Sequence, residues 1–441
     1  MQQLKLLNFY KLISNISTNL VGAFIPLIVL QATGSIYFAI LSYVMMFAIR
    51  LLFNFAFRSL YERYPQMVLM FRVVAVVLYS ASIVIMDYYL WLGVFGATFF
   101  YGLDMSLRSV TREIIYNYAS VENSGEKSPL GFSRLLEQVG VLVALVVGGV
   151  LLDLNKLLII IISVVVYLIS VIPLVWYFVK SRKAKTFNKD AISNARLSYD
   201  KQPELKQNAE KISKKILWMY AIVYFIYCFQ DVLGNAFNIH IFLRTESFGA
   251  AGYLNAVYNA VYGVGCWLFS IIDSKKETTP LIIVSCIMCA LSIGSTIIVN
   301  NVVWWYVAMV VAGLFFGFIC TYMLGRLLPK CRIMGVSNNA LFYRENAADC
   351  SCIVAMTMGC LTGGMVPVLI SIVVTMFMSS IIIPFNEEKT RKQLINYLQN
   401  HEKAMSENLG NSDSQNEIID ATGESKNRTK TASRETTKTK K

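Results

Sequence analysis

Asp231 is the residue in this chain best placed to do chemistry, because it is a carboxylate inside a long apolar run. At 1.5 Å per helical residue it lies roughly 22 Å into the run that begins near 216, and a charge at the centre of a bilayer costs at least ~2.5 kcal/mol on insertion scales. Tyr220, Tyr224, Tyr227, Asn235 and Asn238 recur around it at spacings of three and four, which is one face of a helix. Such a carboxylate could take and release a proton or hold a bound solute. The other reading is a structural acid bonded to the neighbouring phenols and amides.

Two further stripes have the same character: Lys11, Asn15, Thr18, Asn19 and Gly22 in the first apolar run, and Asn255, Tyr258, Asn259 and Tyr262 in a later one. Lining a cavity, these amides and phenols would suit a moderately polar solute; between helices they would serve as hydrogen-bonding glue. Tyr101, Asp104 and Arg108 also share a helical face. Arg50, Asp104, Arg108 and Glu137 fall within about 10 Å of one hydrocarbon edge. With Lys11, Arg344, Glu345 and Asp349 they can form a network of opposite charges. That network reads as a gate that forms and breaks, or, at Arg50, as a hold on an anionic solute.

Other chemistries find little support. His240 and His401 have no metal-ligand neighbours, and Cys286 and Cys289 form a C-x-x-C inside an apolar helix, where packing is the simpler role. All nine cysteines lie in the second half without a paired framework. There is no G-x-x-x-x-G-K-[ST] loop for a nucleotide and no nucleophile–base arrangement. An enzyme, a metal site and a cofactor are therefore not expected.

The elements that must position these residues are membrane helices. A hydrophobic fraction of 56% with 15% charged residues across 441 positions, and a mean hydropathy of +0.54, are too apolar for a soluble domain. Runs of about 20 apolar residues, enough to cross a bilayer, fall near 7–32, 36–56, 67–86, 88–110, 131–152, 156–179, 216–243, 248–269, 280–299, 302–326, 343–363 and 365–385. The expected organisation is a six-helix half at 1–179, a basic linker at 180–215, a second six-helix half at 216–385 and a disordered tail at 386–441, amphipathic from Glu387 to Leu398 at its start. The first run is too long and too polar for a cleaved signal and is expected to stay as helix one.

Lys5, Arg58, Arg63, Arg112, Lys127, Lys275, Lys276, Arg326, Lys330 and Arg332 mark alternate loops, whereas the other face offers little beyond Lys156 and Arg244. This segregation predicts a multi-pass protein of the cell membrane with both termini cytoplasmic. The net charge of +13 follows from that bias and does not argue for nucleic acid. Trp91, Trp304, Trp305, Trp176, Trp218 and Trp267 sit at run ends, where aromatic belts belong.

The chain also repeats itself faintly. At an offset of about 212, Asn19 meets Asp231, Gly22 meets Gly234, Thr33 meets Thr245 and Ser35 meets Ser247; Gly148 and Gly149 meet Gly363 and Gly364 at about 215. Two similar apolar halves point to a carrier built from repeats around a central path.

With these features the chain resembles the major facilitator superfamily. That family's loop between helices two and three, G-x-L-x-D-R-x-G-R-K, is approached by Arg58-Ser-Leu60-Tyr-Glu62-Arg63-Tyr-Pro65-Gln-Met67, which keeps Leu60, the acid at Glu62 and Arg63 but lacks both glycines and the final basic pair. The resemblance implies that Glu62 helps latch the two halves. The antiporter pattern G-x-x-x-G-P-x-x-G-G is similar to Gly140 through Gly149, with Ala144 and Leu145 in place of the inner Gly-Pro, and a second approximation runs from Ala355 through Gly359 and Cys360 to Gly363 and Gly364. Small residues so spaced let helices pack closely in lipid.

The expected fold is thus all-α and integral to the membrane, with twelve transmembrane helices as two pseudo-symmetric six-helix halves. The expected activity is secondary active transport of a small organic solute by alternating access, with proton-coupled efflux favoured. Uptake of a nutrient solute, flipping of a lipid-like substrate and a non-transporting receptor or scaffold stand as alternatives. The expected partners are the lipid bilayer, a small-molecule substrate and protons, with the protein acting as a monomer.

Overall fold

Hydrocarbon offers no partner to a backbone N–H or C=O, so a chain of this composition must satisfy its backbone within each segment. The computed structural model describes residues 2–122, 129–183, 203–273, 278–299, 301–333, 337–396 and 399, and every regular element among them is helical. Eleven stretches are long and apolar enough to cross a membrane: Leu6–Thr33, Ile36–Ala56, Met67–Ile85, Leu90–Ser109, Arg134–Leu154, Lys156–Val179, Lys211–Thr245, Phe248–Ile272, Thr279–Ile298, Val302–Leu327 and Val366–Asn396. The helix Ser337–Thr362 lies between the last two and completes twelve crossings. Arg344, Glu345, Asn346 and Asp349 lower its hydropathy, so apolarity alone passes it over. An even number of crossings puts both ends of the bundle on one face, called here the terminal face.

The first and seventh crossings are not continuous α-helices. Gln2–Val21 yields to a 3-10 turn at Gly22–Phe24 before Ile25–Thr33. Pro26 supplies no N–H to carry the helical ladder through. Gly22 is required by contact: a Cβ there would lie 2.2 Å from the Tyr101 ring. In the seventh, Pro203–Tyr227 gives way to a 3-10 turn at Cys228–Val232 and then to Leu233–Thr245. Asp231 sits on that turn. The change of winding splits the expected stripe, because residues beyond it no longer continue the face set by Tyr220, Tyr224 and Tyr227.

Glycines set the closest helix contacts. A Cβ on Gly148 would fall 2.3 Å from the Leu20 carbonyl of the first crossing, and one on Gly140 2.8 Å from that of Leu12. A Cβ on Gly149 would fall 2.6 Å from the Phe248 carbonyl, and one on Gly252 2.4 Å from that of Leu145, so the fifth and eighth crossings touch backbone to backbone. A Cβ on Gly359 would lie 2.9 Å from the Val368 side chain. Gly363 and Gly364, expected to pack helix on helix like the Gly148–Gly149 pair, do not. They form the turn into the last crossing, where a Cβ would meet nothing within 4 Å and Gly363 has φ +68°.

Three other expectations change. Helix begins at Pro203, within the stretch expected as linker, and the last crossing runs on to Asn396, past the expected tail boundary. Lys330 explains the second extension: its Nζ donates to Glu387 Oε1 (2.7 Å), Thr390 Oγ1 (3.1 Å) and Tyr220 OH (3.2 Å), tying the end of the last crossing to the seventh and tenth. Residues 184–202 and 401–441 lie outside the described residues. Trp305 is not a belt residue: it is 1% exposed, donates to the Val299 carbonyl at 3.1 Å and stacks under Arg244. Trp91, Trp176, Trp218, Trp267 and Trp304 are exposed at the rim.

One ion pair organises the first half. Arg72, in the third crossing, is fully buried and meets Asp104 of the fourth through Nε–Oδ1 at 2.8 Å and Nη2–Oδ2 at 3.3 Å. Its Nη1 donates to Tyr10 OH (2.9 Å) and Ser14 Oγ (3.0 Å) of the first crossing, and the Tyr167 ring of the sixth faces it at 5.1 Å. Removing one member of a buried pair leaves an uncompensated charge, a loss of about 3–5 kcal/mol. Arg72→Met should therefore lower the unfolding temperature of purified protein more than the double variant Arg72→Met/Asp104→Leu. A double variant as unstable as the single would show that an orphaned Asp104 charge is not what destabilises Arg72→Met.

Candidate functional site

Where the halves face each other they form a cavity of about 370 Å³, lined by both. From the first half come Asn15, Asn19, Tyr43, Arg50, Tyr101, Arg108 and Glu137, and from the second Asp231, Asn235, Asn255, Tyr258, Asn259, Arg344, Glu345 and Asp349. The 3-10 turns deliver Gly22 and Asp231 to opposite walls. Tyr224, Tyr227 and Tyr262 are not on the wall. Tyr227 donates to the Phe316 carbonyl at 3.3 Å inside the second half, Tyr224 packs edge-on to Tyr227, and Tyr262 stacks on Tyr258. They lie on the far side of the break in winding, or one turn beyond the wall.

The charges expected as one network form separate groups. Arg50 bonds Glu345 and reaches Asp349 through Nη1 at 3.1 Å, while Arg344 also bonds Glu345. Beside them Asn54 Nδ2 donates to Asn346 Oδ1 and Asp349 Oδ2, both at 3.1 Å, and Arg58 Nη2 donates to Asn339 Oδ1 at 2.8 Å. The Arg50 and Asn54 contacts join the second crossing to the eleventh across the halves, and Arg58 adds to them from the short helix Arg58–Arg63 that follows the second. Glu137 is bonded by Arg134 at 3.0 Å, one turn away. Asp104 belongs to Arg72. Arg108 donates to Thr18 Oγ1 at 2.6 Å, and that hydroxyl donates to the Ser14 carbonyl at 2.9 Å. The cavity wall thus connects to the buried Arg72–Asp104 pair through the first crossing. Lys11 is buried but off the cavity wall, Arg63 is exposed, and the side chain of Glu62 lies outside the described residues.

Asp231 differs from its neighbours. Its Oδ1 accepts from Gln230 Nε2, whose own carbonyl accepts from Tyr258 OH at 3.1 Å. Among the described residues no cation pairs with it, and it is open to the cavity. A neutral relay from Tyr258 through Gln230 fixes its direction and supplies no ion-pair partner.

A second cross-half contact lies at the opposite face. Asp153, on the last turn of the fifth crossing, accepts from the backbone N–H groups of Phe248 (2.8 Å) and Gly249 (2.9 Å) and from Ser247 Oγ (2.7 Å). A carboxylate from one half caps the first turn of the eighth crossing in the other, where the helix end is electropositive.

Sequence reading did not find Arg72, Asp153, Asn54 or Gln230. Arg72 had a signal, a lone guanidinium within Met67–Ile85. Asp153 had none, since an acid at a helix end looks like any solvated one.

A twelve-crossing helical bundle with a polar, charge-lined cavity between its halves defines a membrane transport protein. The chain belongs to the Major Facilitator Superfamily, whose family model matches residues 7–330. No curated protein matches it significantly. Among solved structures it is similar to a D-xylose–proton symporter (TM-score 0.61, 11% identity, 86% of this chain and 95% of that one). It is also similar to a POT family transporter bound to a thioalcohol-conjugated peptide (TM-score 0.63, 12% identity, 88% and 96%). At such identities the likeness carries the fold and not the cargo.

The Asp153 cap must break if the halves part at that face. Spin labels at Leu154 and Glu246 should report a longer distance population in Asp153→Ala than in the unmodified protein by pulsed electron resonance. An unchanged distribution would remove Asp153 from the gate.

Proposed function

We propose that the chain is a secondary active transporter that moves a small organic solute by alternating access and couples the movement to protons, working in the export direction. The observation that carries this reading is Asp231: a cavity carboxylate with neutral hydrogen-bond donors and no paired cation among the described residues. A proton taken there neutralises a charge that the protein otherwise leaves exposed within a low-dielectric core, so occupancy by a proton alters the energy of closing the cavity.

The two cross-half contacts supply the alternation. The Arg50–Glu345–Asp349 cluster holds the second and eleventh crossings together on one side of the cavity, and the Asp153 cap holds the fifth and eighth on the other. Both are polar contacts: Asp153 is exposed, so water replaces its partners at modest cost, whereas the largely buried Arg50 cluster opens only as water enters between the halves. The backbone contacts at Gly149 and Gly252 provide the surface about which the halves rock. The charge bias of the loops supports a cytoplasmic terminal face in a cell membrane.

Solutes that raise the unfolding temperature of purified protein provide the substrates for proteoliposomes with an imposed pH gradient. The gradient should accelerate their flux in the unmodified protein and leave the flux of Asp231→Asn unaffected. If Asp231→Asn retains the full response to the gradient, Asp231 is not the coupling group. Export is the wrong direction if vesicles of known orientation fill through the face that corresponds to the cell exterior.

A further inference from the structure

Asp231 leads to a statement about the cargo itself, one that rests on the transport reading above. The hydrogen-bonding capacity of the cavity is unevenly used. Asn259 spends both amide N–H groups within its own helix, on Asn255 O and Asn255 Oδ1, each at 2.7 Å. Asn19 spends one on the Asn15 carbonyl at 2.8 Å. What these two side chains keep for a solute is chiefly their carbonyl oxygens. Gln230 is turned so that its N–H group serves Asp231 and its carbonyl serves Tyr258.

The donors of the wall are used differently. Arg50 spends its two Nη groups on Glu345 and Asp349, and Arg344 bonds Glu345, while Arg108 donates to Thr18. Only Nε of Arg50 is left without a partner, so a fuller hold on an anionic solute by Arg50 would require displacing two carboxylates. Tyr43 gives a second indication of a ligand: it lines the cavity, is 5% exposed, and its hydroxyl has no hydrogen-bond partner. Tyr43, Phe47, Tyr101 and Tyr258 also line the same space, and aromatic side chains of this kind can attract cations.

We infer that the solute carries a protonated amine, which binds at the Asp231 carboxylate among carbonyl and aromatic groups. The amine and the coupling proton then occupy one carboxylate in turn. Binding of the ammonium group to protonated Asp231 releases that proton to water, and the charge in the cavity is neutralised in either state. A volume of about 370 Å³ admits a compact molecule of drug-fragment size.

The test uses the purified full-length chain and a thermal-shift panel of matched triplets. Each scaffold, whether aliphatic, aromatic or sugar, is offered as an amine, an alcohol and a carboxylate. Stabilisation should fall on amines, and their affinity should drop about tenfold or more in Asp231→Asn, as expected for loss of a charge-assisted contact. Asp231→Glu should retain most of it. Amine binding should also weaken as pH falls and should release a proton, read with a pH dye in weak buffer. The inference is overturned if stabilisation falls on alcohols or carboxylates, if no amine stabilises the protein, or if amine affinity survives Asp231→Asn. Stabilisation by alcohols with flux still driven through Asp231 would sink the amine alone and leave proton coupling in place. Loss of the pH-gradient effect on flux in the unmodified protein would sink the coupling.

Discussion

Arg50 reaches from the second crossing to Glu345 and Asp349 of the eleventh, and much of the structure depends on that reach. A helix with Arg344, Glu345, Asn346 and Asp349 near one end is a poor guest in hydrocarbon. Its carboxylates are buried only because a guanidinium and the Asn54 amide meet them from the other half. The cost of an unpaired charge in the bilayer therefore forces the second and eleventh crossings together, and with them the two halves. What remains between the halves is the cavity.

The same constraint acts inside the first half. Arg72 and Asp104 satisfy each other, and the phenol of Tyr10 and the hydroxyl of Ser14 take the remaining guanidinium N–H groups. These partners come from the first, third and fourth crossings, so the pair fixes three helices in one arrangement. Contacts within a half are of this permanent kind, or are backbone contacts at Gly140 and Gly148. Across the halves, the Arg50 cluster is also largely buried, with Asp349 0% exposed, and the Asp153 cap is the contact that lies near water. Among the described residues, Asp231 is the carboxylate on the wall that neither kind of contact pairs.

How far the site could be read from the sequence depended on the local winding. The stripe through Tyr220, Tyr224, Tyr227, Asp231, Asn235 and Asn238 assumes 3.6 residues per turn throughout. The 3-10 turn at Cys228–Val232 breaks the assumption, so Asp231 and Asn235 face the cavity while the three tyrosines pack into the second half. Asn238 is buried against Asn255 and the Ala251 carbonyl. Within unbroken helix the periodic reading holds in part: Asn15 and Asn19 share the wall, as do Asn255, Tyr258 and Asn259, whereas Lys11 and Tyr262 lie off it. The paired glycines show a different limit. Gly148–Gly149 and Gly363–Gly364 look alike as letters, yet one pair packs against two helices and the other makes a turn.

The sequence by itself determined the class of fold, the near-positions of the crossings and the identity of the carboxylate at the centre. Each follows from a cost that hydrocarbon imposes locally: twenty apolar residues per crossing, internal backbone hydrogen bonds, and a heavy penalty for a lone charge. Only the tertiary structure decided which charges are partners. Arg50 and Glu345 are 295 positions apart, and Asp153 and Phe248 are 95 apart. Pairing at such separations is set by how helices pack, which no local pattern records. That packing satisfied Asp104, Glu137, Glu345 and Asp349 and left Asp231 facing the cavity.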